Sequence, residues 1–193
     1  MWSKLISAPA ELAISVDEVK DRLNIEYSEK DEVLEALIKS STLHAEKITG
    51  RALVDQTWDF YFDGFPCDNS ELQIPKSPTI ELVGVFYRQN GGDEQELASS
   101  SYEFDSAREP GRLVPVFSGS WPTIGTFTNS VRVRVRAGYV DLDASPIGSV
   151  PEDIKTAITM RVQADFDQGP DADKWRESSD RMLSEKRIHT GIA

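Results

Sequence analysis

The chain has 193 residues, 39% hydrophobic and 28% charged, the composition of an ordinary folded protein of one domain or two small ones. Its net charge is −12, spread evenly at −4 over each of residues 1–50, 51–140 and 141–193, so no basic segment offers the footprint that tight nucleic-acid binding needs. A single cysteine, Cys67, excludes an internal disulfide.

The N-terminus, Met1-Trp2-Ser3-Lys4-Leu5-Ile6, lacks the long apolar core of a signal peptide, and Pro9 and Glu11 interrupt it early. No apolar run reaches the roughly 20 residues of a membrane-spanning helix. The first predicted helix opens at a capping box, Ser15-Val16-Asp17-Glu18, and carries Val16, Val19 and Leu23. A second helix starts around Ser28-Glu29-Lys30-Asp31. Its stripe is Val33, Leu34, Leu37, Ile38, Ala45 and Ile48, and Gly50 stands where a left-handed C-terminal cap belongs.

The period then changes from 3.6 to 2. Trp58, Phe60 and Phe62 alternate with Asp59, Tyr61 and Asp63 up to a break at Gly64-Phe65-Pro66. Leu72-Gln73-Ile74, Thr79 to Arg88, Tyr102-Glu103-Phe104 and Arg112 to Phe117 are further strand segments, with a turn at Gln89-Asn90-Gly91-Gly92-Asp93. Val131, Val133 and Val135 alternate with Arg132, Arg134 and Arg136 in the cleanest strand pattern of the chain. Helix returns at Pro151, taken as the first helical position, with Glu152 and Asp153 in the first turn and a stripe of Ile154, Ala157, Ile158, Val162 and Phe166. Gly169-Pro170 stops it. A last, largely polar helix over 172–187 shows Trp175, Met182 and Leu183.

The pattern predicts an α+β fold, a small helical bundle of N-terminal and C-terminal helices with an inserted antiparallel β unit. The expected divisions are 1–53 (first part of the helical core), 54–146 (β unit), 147–169 (second part of the core) and 170–193 (C-terminal helix and tail).

Motifs for chemistry are missing. The two histidines, His44 and His189, have no second ligand at metal spacing, so no catalytic residue, metal or cofactor is expected. The surroundings of Cys67 supply neither a helix N-terminus nor a base to activate a thiol. Phosphate-loop patterns do not occur. Asp141-Leu142-Asp143 and Asp171-Ala172-Asp173 lack the rest of a calcium loop, and Asp171 or Asp173 reads as a helix cap. The row Arg132, Arg134, Arg136 reads as a salt-bridged outer face, as a contact with carboxylates of a neighbouring subunit, or as a phosphate site. Trp175, Met182 and Leu183 read either as core or as an apolar handle for a partner.

Several short motifs resemble the tailed-phage head–tail connector (adaptor) proteins, a family that includes relatives from gene transfer agents. They are Glu32 to Lys39, Ala45-Glu46-Lys47-Ile48-Thr49-Gly50-Arg51-Ala52-Leu53, Gln56-Thr57-Trp58, Leu72-Gln73-Ile74-Pro75, Pro110-Gly111-Arg112, Ser120-Trp121-Pro122, Ala137-Gly138-Tyr139 and Val150-Pro151-Glu152-Asp153-Ile154-Lys155. Their order and spacing cover residues 5 to 168, and the tail after Gly169 matches least.

The resemblance implies a structural protein of the virion neck, assembled in the host cytoplasm. It would form a ring, usually of twelve copies, beneath the portal. It would join the portal to a stopper or tail-completion protein and surround passing double-stranded DNA without specific binding. The expected portal contacts are Trp175, Met182, Leu183 and Ile188, and the expected subunit-interface residues are Arg132, Arg134 and Arg136. On this reading, removing residues 170–193 abolishes portal binding and leaves the fold intact. The alternatives are another neck protein (a stopper or tail terminator), a virion-associated hydrolase, or a phosphate-binding module.

Overall fold

In the computed structural model, residues 1–90, 92–124, 127–140 and 149–188 are described. The pair Asp141 and Asp143, His189, Gly91 and the expected boundary at 146/147 lie outside them. The chain divides into two compact units, each with its own hydrophobic core. One takes Met1–Ala8 and Asp55–Gly138, the other Pro9–Val54 and 139–188.

The helical unit contains α1 (Val16–Leu23), α2 (Asp31–Thr49), α3 (Glu152–Asp167) and α4 (Ala172–Glu185). Ser15 caps α1 by accepting the Glu18 backbone N–H at 3.1 Å. The other half of the capping box does not form, because the Glu18 carboxylate turns to Arg22 at 2.6 Å and Lys155 at 3.4 Å. The buried stripe of α2, led by Leu34, Ile38 and Ala45, meets Ile154, Ala157, Ile158 and Val162 of α3 in one core. As expected, the two sets of helices pack together around one another's stripes. Pro151 is the residue before α3, not its first residue. Asp171 precedes α4 but makes no side-chain cap, a departure from the capping role expected of it.

The β unit holds two antiparallel sheets. The larger has five strands in the order β1 (Trp2–Ser7), β2 (Gln56–Phe62), β8 (Val131–Ala137), β4 (Thr79–Arg88) and β5 (Glu94–Glu96). The smaller is β3 (Leu72–Ile74), β7 (Gly111–Pro115) and β6 (Tyr102–Asp105). Register explains the alternation. Phe60, Val133 and Val85 lie directly opposite one another, as do Trp58, Val135 and Leu82. This face shares a core with Leu72, Ile74 and Leu113 of the smaller sheet. The sequence pattern gave residues 1–53 to helices; Trp2–Ser7 instead form an edge strand of the β unit.

Candidate interaction surfaces

The other face of the large sheet is a charged and aromatic lattice. One row runs Trp2, Tyr61, Arg132, Phe86, Glu96 across all five strands, and the next runs Lys4, Asp59, Arg134, Gly84. Trp2 stacks on Tyr61 with ring centres 4.4 Å apart, and its indole N–H donates to Asn129 at 2.7 Å. The Arg132 guanidinium lies 4.0 Å from the centre of the Phe86 ring. A Cβ on Gly84 would stand 2.9 Å from that ring, so the smallest residue is needed beside it.

The three arginines are engaged within their own sheet. Arg134 grips Asp59 with two bonds of 2.7 and 2.8 Å. Arg132 binds both oxygens of Glu94 and approaches Asp59 at 3.4 Å. Arg136 binds Asp55 at 2.8 and 2.5 Å. Asp59 is 2% exposed. Burial pushes its carboxyl pKa up, but the Arg134 hydrogen bond and the Arg132 and Arg134 charges outweigh it, and the net shift is downward. The hydrogen bond to Glu94 is the main cause raising Arg132, and those to Asp59 and Asp55 raise Arg134 and Arg136. The row is therefore a salt-bridged sheet face first, and a phosphate would have to share each guanidinium with the carboxylate it already holds.

The four residues of the expected portal handle separate. Leu183 is 1% exposed and Ile188 is 8% exposed, both inside the helical unit. Met182 packs partly buried against the same core. The Ser179 hydroxyl donates to the Ala157 carbonyl at 2.8 Å, tying α4 to α3, and the Ile188 N–H donates to the Thr49 carbonyl at 2.8 Å. Only Trp175 offers a substantial free surface, at 38% exposed. α4 is thus part of the helical unit, and its apolar residues chiefly serve that packing.

In the motif Thr49-Gly50-Arg51 the expected left-handed cap forms at Gly50, and Thr49 and Arg51 add contacts that sequence patterning missed. Gly50 takes φ +72° and caps α2 through the Glu46 carbonyl. The Thr49 hydroxyl donates to the Ala45 carbonyl and accepts the Arg51 N–H. The Arg51 side chain reaches the Lys186 carbonyl at 3.1 Å and the Tyr139 hydroxyl at 3.4 Å. Buried Glu46 accepts the Leu53 N–H at 2.7 Å. The corner after α2 is locked to the end of α4. Ser120-Trp121-Pro122 plays a like part in the β unit: Trp121 stacks on Phe65 at 4.8 Å and donates to the Ser70 carbonyl at 3.0 Å.

Beside Trp121 opens a cleft of about 550 Å³, with Asp63, Phe65, Cys67, Asn69 and Ser120 among its walls. No histidine lines it among the described residues. His44 instead meets Asp180 at 2.7 Å, which also accepts from Arg161. Among the described residues no group of three or more His, Cys, Asp and Glu could hold a metal ion, and no helix is long and apolar enough to cross a membrane.

Residues 13–106, from before α1 to the end of β6, match the family model of the phage gp6-like head-tail connector proteins, the family whose motifs the sequence resembles. Three solved structures share the fold over 98% of this chain and 97% of theirs. They are a chain in the virion of a native gene transfer agent particle (TM-score 0.76, 15% identity), one in the neck of an empty particle computed with C6 symmetry (0.74, 14%) and one in the neck of a native particle computed with C12 symmetry (0.71, 17%). No curated protein matches the chain.

Proposed function

We infer that this chain, which over residues 13–106 matches the phage gp6-like head-tail connector family model, is a structural neck protein and not an enzyme. It is the head–tail adaptor of a tailed phage or gene transfer agent: a ring beneath the portal, joined below to a stopper or tail-completion protein, with DNA passing through. The observation that carries this reading is the agreement of both units, over nearly the full chain, with chains from gene transfer agent particles, two of them from the neck. The C6 and C12 symmetries of those necks support a ring of six- or twelve-fold order. The even acidity supports a passage that does not grip phosphate.

Light scattering on a size-exclusion column, with and without the portal protein of the same particle, tests the reading. Co-elution at the mass of a portal plus a closed ring is expected. A monomer that ignores the portal under all conditions overturns it.

The arginine row is a weaker candidate for a phosphate site, since each guanidinium already has a carboxylate in its own sheet. Its use at the subunit interface remains part of the proposal through the outer, exposed edges of Arg134 and Arg136 (33% and 37% side-chain exposure).

A further inference from the structure

An open sheet has two edges, each a row of backbone N–H and C=O groups that another strand can pair. The five-stranded sheet of the β unit ends on two unlike edges, β1 and β5.

β1 is long and weakly guarded. All six residues of Trp2–Ser7 are exposed, none is a proline, and Trp2, Leu5 and Ile6 are 47%, 40% and 42% exposed. Lys4 is the one charged side chain of residues 1–8 and makes no ion pair among the described residues. Asp59, which lies opposite it, is already matched by Arg132 and Arg134. β5 is short, exposed and acidic. Asp93, Glu94 and Glu96 have two cations nearby: Arg132, which holds Glu94, and Arg88, which lies opposite it. Glu96 has no cation of its own among the described residues.

Hydrogen-bond phase decides which backbone groups point outward. The Leu97 N–H donates to the Val85 carbonyl at 2.8 Å, so Leu97 and Gln95 turn toward β4, and Glu94 and Glu96 turn their backbone groups out. The Arg88 N–H donates to the Ser130 carbonyl at 2.9 Å, so Phe86 and Arg132 form the next bonded pair. Carried across β8 and β2, the alternation turns Trp2 and Lys4 toward β2, and Ser3 and Leu5 outward.

Five antiparallel strands leave β1 and β5 running the same way, so copies repeated by rotation join edge to edge as a parallel pair. In such a pair, a residue facing the partner bonds to the two residues flanking the one beside it. Setting Glu96 beside Lys4 lets the Glu96 N–H donate to the Ser3 carbonyl and the Leu5 N–H donate to the Glu96 carbonyl. The same register brings the Lys4 ammonium to the Glu96 carboxylate on the charged face, and Leu5 to Leu97 on the core face. A slip of one residue loses all of these together.

We propose that β1 of one copy adds to β5 of the next in this register, so that the sheets of neighbouring copies run on as one. Pairing of β5 with another β5 is excluded by carboxylate against carboxylate. The contact is heterologous, the kind that propagates head to tail and closes a ring. The proposal rests on the ring reading above and names the edges that make the ring.

Disulfide trapping tests it in a Cys67→Ser background, which removes the native exposed thiol. Ser3 and Gln95 stand side by side in this register, at the strand spacing of about 4.8 Å that a disulfide can span. Ser3→Cys combined with Gln95→Cys should give, on oxidation of the assembled protein, a ladder of covalent oligomers reaching the ring. Either cysteine alone should stop at dimers. Ser3→Pro removes an N–H that faces outward, so it should keep the native circular dichroism and raise the concentration needed for assembly at least tenfold. Glu96→Lys should weaken assembly likewise, and Lys4→Glu in the same chain should restore it. Rings that form normally with Ser3→Pro, and give no ladder, overturn this pairing while leaving the ring reading intact. A native chain that never assembles, alone or with its portal, overturns both.

Discussion

Asp59 is almost wholly buried and stays charged because two guanidinium groups face it across neighbouring positions of β8. Asp59→Asn would leave Arg134 without its bidentate partner, whereas Arg132 would keep Glu94. The Arg134 guanidinium left behind is a third exposed and can be hydrated, so the cost is that of lost charge-assisted hydrogen bonds, about 1.5–3 kcal/mol, and not that of a stranded buried charge. Arg136→Gln should cost under about 1 kcal/mol, because that pair is more than a third exposed on both sides. The sign with pH follows from the lowered folded-state pKa of Asp59. Its stabilisation is complete above the unfolded value of about 3.9 and is lost as pH falls through the lower folded value. Glu94, lowered chiefly by the Arg132 hydrogen bond, acts in the same direction. Urea unfolding of the native chain should therefore weaken below about pH 4. Asp59→Asn should begin less stable at pH 7 and fall less steeply in acid; equal slopes would remove Asp59 from the acid limb.

At the scale of the element, α4 is the test of what a C-terminal helix is for. Leu183 lies in the shared core and Ser179 bonds to α3, so Leu183→Ala should cost about 2–5 kcal/mol. Truncation at Gly169 should unfold or loosen the helical unit, contrary to the intact fold that the sequence pattern predicts. Loss of helical circular dichroism well beyond the 14 residues removed with α4 is the expected outcome, and a native-like melt of the remaining helices would restore α4 as a mere docking arm. The sequence could not separate these cases, because an apolar handle on a polar helix has the same spacing whether it meets its own unit or a partner. The stripes of α2 and α3 were legible since many apolar positions repeat at 3.6 residues. β8 was legible from its strict alternation, but the use of its arginines was not: Asp55, Asp59 and Glu94 are more than 35 positions away in sequence and arrive only through strand pairing. β1 escaped because all six residues are exposed and Trp2, Leu5 and Ile6 do not alternate, so no buried face imprinted a period on it. The division into two sheets was hidden for a related reason. β3, β6 and β7 have three to five residues each, too few to show a period.

At the scale of the whole molecule, the even distribution of charge makes a claim about DNA. On the adaptor reading proposed above, the protein lets a polyanion pass at close range, and each phosphate neutralised by a lysine or arginine would release counterions and create affinity. With 33 acidic against 21 basic residues, and with its arginine row held by carboxylates, the chain's net charge opposes binding to a duplex. A like net charge also opposes chance association of separate copies. Duplex DNA should therefore migrate unretarded in native gels with micromolar protein, even at about 20 mM salt, where phosphate contacts are strongest. Retardation that disappears steeply as salt is raised would reveal a basic surface in use and would contradict a passage that works by not holding DNA. If the assembled ring behaves as the free chain does, the acidity belongs to the passage as well as to solubility. If the ring alone binds duplex, assembly must gather on its inner side cations that the free chain keeps apart, and the acidity would then belong to solubility and not to the passage.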